Sequence, residues 1–160
     1  MSLIRPATRT DFDALARLWH AGWHEAHAAF VPTELTAKRS LESFRIRLDR
    51  YGDRLRVAGP DGAPIGMCVI HDDELDQLFV APEARGSGLA ADLLTDGEDR
   101  LRAQGIVEAH LYCVQQNQRA ARFYERQGWV NRGVAPGSVE TLDGPFTFDV
   151  LRFEKTLVGR

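Results

Sequence analysis

The chain has 160 residues, of which 44% are apolar and 27% charged, a balance that suits one globular domain with a real core and excludes disordered and fibrous classes. A net charge of −3 gives no electrostatic ground for nucleic-acid binding. Cys68 and Cys113 sit in apolar runs without the spacing of a zinc site or redox pair, and neither a leader-like nor a membrane-spanning apolar run occurs. A reduced, soluble, cytoplasmic protein is therefore the expectation.

Residues 3–5 read as a short first strand. Thr10 and Asp11 can cap a helix carrying Phe12, Leu15, Leu18 and Trp19 on one face, and a second helix is predicted over 33–51 with Leu35, Leu41, Phe44 and Leu48 inward. The arginines between Arg39 and Arg56 alternate with Glu42, Asp49 and Asp53, which reads as a solvated face. The period then changes to two: 55–58 and 65–70 flank Gly59-Pro60-Asp61-Gly62, the signature of an antiparallel hairpin.

A strand over 75–80 leads to a helix over 88–103, whose apolar face is Leu89, Leu93, Leu94 and Leu101 and whose end is marked by Gly105. A strand over 107–114 follows. Asn117 caps a short helix with Ala120, Phe123 and Tyr124 inward and Gly128 to stop it; strands near 129–134 and 146–154 close the chain. The order implies a single α/β (α+β) domain over 1–160: a mixed, mostly antiparallel sheet of about seven strands with helices on both faces. The unit over 75–114 is its parallel crossover.

The most informative segment runs from the strand residues Leu78, Phe79 and Val80 through a turn into a helix. Gly86 and Gly88 remove side chains where the backbone turns and expose N–H groups at the helix start, where unpaired donors and the dipole favour an anion such as a diphosphate. A plain helix-capping turn is one reading. A dinucleotide fingerprint is another, since Gly86-Ser87-Gly88-Leu89-Ala90-Ala91 satisfies G-x-G-x-x-A. Its context is wrong: five residues, Ala81 to Arg85, separate strand from glycine, and the nearest later acid, Glu108, begins a strand instead of ending one.

The third reading is a resemblance. Arg85-x-x-Gly88-x-Ala90 is similar to the Q/R-x-x-G-x-G/A loop of the GNAT superfamily of acyl-coenzyme A N-acyltransferases, and Asn117-x-x-Ala120-x-x-Phe123-Tyr124-x-x-x-Gly128-Trp129 resembles that family's second motif at the expected distance. The resemblance covers about a third of the chain. It implies that acetyl-CoA is the co-substrate and that no metal is needed. Leu78, Phe79 and Val80 would hold the pantetheine and acyl group through the backbone of a bulged, splayed strand. Arg85, Gly86, Ser87, Gly88, Leu89 and Ala90 would hold the pyrophosphate, with Asn117, Ala120 and Phe123 completing the coenzyme site.

It further implies Tyr124 as general acid for the departing thiolate. An amine acceptor must also lose a proton, because an alkyl ammonium of pKa ~10.4 is less than ~0.1% deprotonated at pH 7. Glu74 is the first candidate base and Asp76 the alternate; His71, Asp72 or a water chain could serve instead. Parity puts Glu74, Asp76, Leu78 and Val80 on one face and Leu75, Gln77 and Phe79 on the other, unless a bulge resets the phase. A backbone amide near Val80 would face the developing oxyanion, and Cys113, lacking a His partner, reads as core.

In the family the acceptor pocket is lined by the first two helices, their connection and the last strands. The Trp- and His-rich segment 19–30 offers Trp23, His24 and Phe30 as acceptor-pocket candidates. A metal held by His20, His24 and His27 is disfavoured, since Gly22 interrupts the helix pattern. The expected activity is direct transfer of acetyl to a primary amine of a small molecule, amino acid or peptide. A non-catalytic acyl-CoA sensor or interaction domain is the alternative. No nucleic-acid or membrane partner is expected, and a homodimer is left open.

Overall fold

The computed structural model describes residues 4–158; Leu3, expected in the first strand, lies outside them. Seven strands form one mixed sheet: β1 Ile4–Pro6, β2 Leu55–Ala58, β3 Gly66–His71, β4 Glu74–Val80, β5 Glu108–Cys113, β6 Val130–Thr141 and β7 Gly144–Thr156, in the order β1-β2-β3-β4-β5-β7-β6. Only β4 and β5 pair in parallel, as the crossover through a helix requires. Helices α1 Phe12–His27, α2 Thr33–Ala37 and α3 Leu41–Tyr51 precede β2; α4 Leu89–Ala103 joins β4 to β5, and α5 Gln118–Arg126 joins β5 to β6.

Each face of the sheet has its own core. Leu15, Trp19, Phe44 and Leu48 from α1 and α3 close over Val57, Met67 and Val69. On the other face Leu93, Leu94 and Leu101 of α4 pack on Cys68, Ile70, Leu75 and Leu111, with Trp129 and Phe153 beside them. Each fully buried Leu or Phe is worth about 1.5–3 kcal/mol, so the two layers rather than helix propensity hold the sheet. Asp11, fully buried, fastens the first helix: its carboxylate takes Arg5 Nη1 and Nη2 at 2.8 Å each, Thr8 N–H at 2.8 Å and Gly62 N–H at 2.9 Å, tying β1, the start of α1 and the β2–β3 turn. No helix among the described residues is long and apolar enough to cross a membrane.

Four expectations about elements change. The helix expected over 33–51 is two, because Ser40 takes the Ser43 N–H on its hydroxyl at 3.1 Å and so caps a new helix. Leu41 then becomes the first residue of α3 and is exposed, not inward. The arginine stretch is not uniformly solvated either: Arg39 and Arg47 are 3% and 1% exposed. Finally, the closing strands form one long hairpin that runs through Pro136 and Gly137; because β6 is an edge strand, a proline without an N–H is tolerated there.

Candidate active site

The site forms where β4 leaves β5. Gln77 pairs with Val69 but Leu75 pairs with Ile70, so Asp76 is an extra residue on β4, a bulge. β4 and β5 pair only at Glu74 and His110, with His110 N–H donating to Asp73 O at 3.1 Å, and beyond that point no pairing joins them. Ala81 N–H donates to Ile65 O at 2.8 Å; carried back along the ladder, this alternation turns the backbone groups of Phe79 and Gln77 to β3 and those of Leu78 and Val80 toward the gap.

The bulge also resets the side chains. Leu75, Leu78 and Val80 join the core under α4, whereas Phe79 packs on the α1 side, where Gly22 lets its ring approach. Helix α1 therefore runs unbroken through Gly22, contrary to the interruption expected there; a Cβ at that position would stand 3.0 Å from the Phe79 ring.

At the end of β4 the chain makes a short turn and enters α4 at Leu89, with Gly88 as N-cap. Gly86 and Gly88 hold φ of 78° and 89°, where a side chain is strained, and the space a Cβ would fill at either one contains no protein atom within 4 Å. Ser87 Oγ donates to Ala84 O and accepts the Leu89 N–H at 3.3 Å, holding the turn closed beneath them. With the first amides of α4 lacking helical acceptors, this cradle fits a diphosphate. Arg85 is exposed at its rim, 3.5 Å from Glu25 of α1.

Asn117 caps α5 by accepting the Ala120 N–H at 3.3 Å, and Gly128, at φ 90°, ends the turn that follows. Ala120, Phe123 and Tyr124 pack against the core under α4 and α5, while Ala121 is the buried residue of the helix. The Tyr124 ring lies 5.8 Å from Phe153 and 6.5 Å from Trp129. Among the described residues its hydroxyl has no hydrogen-bond partner, and burial raises its pKa, so it holds its proton at neutral pH. Cys113 is buried, and that burial pushes its thiol up to about 12, which leaves no thiolate for nucleophilic work.

On the opposite face of the sheet a cavity opens between the α1–α3 layer and the strands. β4 gives it Glu74, Asp76 and Gln77; α1 gives Trp23 and His27; Leu35 and Arg39 come from α2 and the turn after it, and Tyr112, Val139 and Phe148 from β5, β6 and β7. Burial, with the neighbouring carboxylates of Asp76 and Asp73, pushes Glu74 up to about 8. Burial likewise raises Asp76, against the pull of Arg47. His27 is pushed down to about 4 by burial and by Arg39, and so is neutral.

Of the acceptor-pocket candidates, Trp23 lines this cavity and the other two do not. His24 Nε2 is spent on Arg39 O at 2.7 Å, and the Phe30 ring is exposed in the turn after α1. His71 and Asp72 are both exposed at the β3–β4 turn, outside the lining. Among the described residues no group of three His, Cys, Asp or Glu could hold a metal. Arg39 and Gln77 line the cavity although the sequence assigned them no role, and His27, weighed there only as a metal ligand beside His20 and His24, lines it too. For Gln77 the signal was the bulge itself, which no periodicity announces.

The chain is similar to known proteins in sequence and in fold. An uncharacterised N-acetyltransferase of Archaeoglobus fulgidus is 29% identical over 136 residues, 78% of this chain and 90% of that protein. A mycothiol acetyltransferase of Actinosynnema mirum is 30% identical over 126 residues, 74% of this chain but 41% of its own length. The crystal structure of the PaiA N-acetyltransferase of Thermoplasma acidophilum in complex with coenzyme A superposes with a TM-score of 0.70 at 22% identity, covering 98% of this chain and 99% of that one, a likeness of fold. The Acetyltransferase (GNAT) family model matches residues 15–129, most of the chain and both motifs, and the chain belongs to that family.

Proposed function

We propose that the chain transfers an acetyl group from acetyl-CoA to a primary amine by direct attack, with Glu74 as base and Tyr124 as acid. The observation that supports this reading is the gap between β4 and β5, paired only at Glu74 and His110: Tyr124 packs on one face of the sheet and the acidic cavity opens on the other, so a thioester arm laid in the gap would lie between them. Acetyl-CoA, when bound, supplies an activated thioester.

The chain's residues do the rest. The backbone N–H groups around Gly86 and Gly88 bind the diphosphate, and the gap-facing backbone of Leu78 and Val80 orients the arm, with the Val80 N–H aimed at the acyl oxygen. Ionised Glu74 takes the proton that the acceptor ammonium must lose, through Asp76 or a water if the reach requires it. As the N–C bond forms and the C–S bond breaks, Tyr124 Oη gives its proton to the sulfur. Asn117, Ala120 and Phe123 hold Tyr124 at that position. Two free thiols accord with a cytoplasmic setting.

Thermal shift with acetyl-CoA, coenzyme A and NAD, followed by thiol release over a panel of amines, tests the reading. Acetyl-CoA and coenzyme A should each raise the melting temperature, since a ligand at ~100 times its dissociation constant adds ~2.7 kcal/mol, and at least one amine should release thiol. A response to NAD alone would sink the proposal. Coenzyme binding with silence across a broad panel would favour an acyl-CoA sensor.

A further inference from the structure

The cavity holds a positive charge that no hydrogen bond or ion pair closes among the described residues, although the carboxyl groups of Asp76, in its wall, and of Glu140 act on it from further off. Arg39 is 3% exposed and touches the cavity, yet none of its guanidinium nitrogens donates to a protein acceptor among the described residues, and Nε and Nη1 are sealed from solvent. Its side chain faces the Trp23 ring at 5.6 Å, and no carboxylate among the described residues closes an ion pair with it.

The inward position is imposed by the backbone. Arg39 N–H donates to Thr36 O at 3.0 Å, its carbonyl meets His24 Nε2 at 2.7 Å, and Ser40 starts α3 immediately after it. Two carboxyl groups act on the Arg39 guanidinium from a distance without a hydrogen bond to it: Asp76, which accepts from the Gln77 amide at 3.4 Å, and Glu140, 3.5 Å from Arg47, whose guanidinium stacks on Trp19 and donates to Tyr51 Oη at 3.2 Å. Burial, and repulsion from Arg47, push Arg39 down to about 9, which still leaves it charged at neutral pH.

A buried cation without a partner is costly, and an arriving anion relieves that cost. The same cavity is lined by two carboxyl groups, Glu74 and Asp76, that could receive an amine. The lining also contains the apolar side chains of Val31, Leu35, Val139 and Phe148. A ligand that answers all three features carries a carboxylate, an amine and an apolar side chain.

We propose that the acceptor is a free amino acid, its carboxylate held by Arg39 and its amine directed to Glu74. This rests on the acetyl-transfer reading above. Kinetics should compare a set of L-amino acids, each with its own carboxamide, in the wild type and in Arg39→Gln and Arg39→Lys, alongside calorimetric binding of the same pairs to the coenzyme A complex.

A charge-assisted contact predicts a kcat/KM preference for acid over amide of about 10- to 100-fold in the wild type. It should disappear in Arg39→Gln, through a loss on the acid larger than that on the amide, and return in part in Arg39→Lys. Coenzyme A affinity, measured on all three proteins, reports that the variants are folded. Equal rates on acid and amide, or a preference that survives Arg39→Gln, would overturn the assignment while leaving acetyl transfer standing. Binding of the acids over the amides without any transfer would leave the anion site standing and remove the proposed reaction. Neither binding nor transfer would remove both.

Discussion

Gln77 donates from its side-chain amide to the carboxylate of its chain neighbour Asp76 at 3.4 Å, a contact between adjacent residues that a regular strand would separate onto opposite faces. The bulge at Asp76 brings them together, and the same shift turns Glu74, Asp76 and Gln77 into one cavity while Leu75 and Leu78 enter the core behind it. Acids and gap thus come from one irregularity, and its consequences are chemical.

With Glu74 raised to about 8 and active as the carboxylate, kcat/KM should climb about tenfold per pH unit below that value and level above it. Glu74→Gln should lower kcat/KM about 10²- to 10³-fold and lose that limb. In Asp76→Asn a charge that raises Glu74 is gone, so the limb should move to lower pH with activity retained. Loss of the limb in Asp76→Asn but not in Glu74→Gln would reassign the base to Asp76. Profiles of the three proteins with one amine decide it.

The same carboxyl makes a stability prediction. Its folded pKa lies above the unfolded value of 4.5, so the protonated form is the one the fold favours: its contribution is full below about 4.5 and lost as pH rises through about 8. Glu74→Gln stays neutral throughout. Melting temperatures should coincide at and below pH 4.5, separate between there and pH 8 and keep a constant gap above it, the variant being more stable by about 2 kcal/mol, a figure held down because Glu74 keeps some solvent contact. Parallel curves at every pH would show that the carboxyl is not desolvated.

Tyr124→Phe removes only a hydroxyl that bonds to nothing among the described residues. Coenzyme affinity and melting temperature should stay close to wild type, while kcat falls about 10- to 10³-fold. A kcat within twofold of wild type would end the general-acid assignment; a large loss of coenzyme affinity would make the ring a binding contact instead.

Gly88→Asp should abolish coenzyme binding, because a carboxylate would occupy the space kept clear at the helix start. The backbone strain of a non-glycine residue at positive φ costs about 1–2 kcal/mol by itself. Gly105→Asp is the control: at φ 82° and the far end of α4 it carries the same strain away from the loop, so it should melt lower yet bind the coenzyme normally. Isothermal titration with coenzyme A separates the two effects.

What could be read from the sequence was whatever rests on local chemistry. The helix start at Gly88, the cap at Asn117 and the two-period hairpin around 59–62 each follow from a few adjacent residues, and the structure keeps all three. The cavity was harder, because it depends on long-range placement. One signal was available for Arg47: it falls at i+3 from Phe44 and i−1 from Leu48, on the stripe that also contains Tyr51, so helical spacing alone puts it inward. Its charge masked that position. Arg39 gave no such sign, because it lies outside any helix and is turned in by the break at Ser40.

The buried guanidinium of Arg39 also sets the stability of the free protein. Replacing a buried, unpaired cation by an apolar side chain of similar reach removes a desolvation penalty, so Arg39→Met should raise the stability of the free protein by about 1–3 kcal/mol. Structural arginines behave in the opposite way, since removing one partner of a buried pair costs about 3–5 kcal/mol. Saturating amino acid should then narrow the gap, because binding stabilises only the wild type, by ~2.7 kcal/mol at ~100 times the dissociation constant. Melting temperatures of both proteins, with and without amino acid in the presence of coenzyme A, measure both effects. A destabilised Arg39→Met would mean that the guanidinium is answered within the protein, most directly by Asp76 or Glu140, and a gap that amino acid leaves unchanged would place the carboxylate elsewhere.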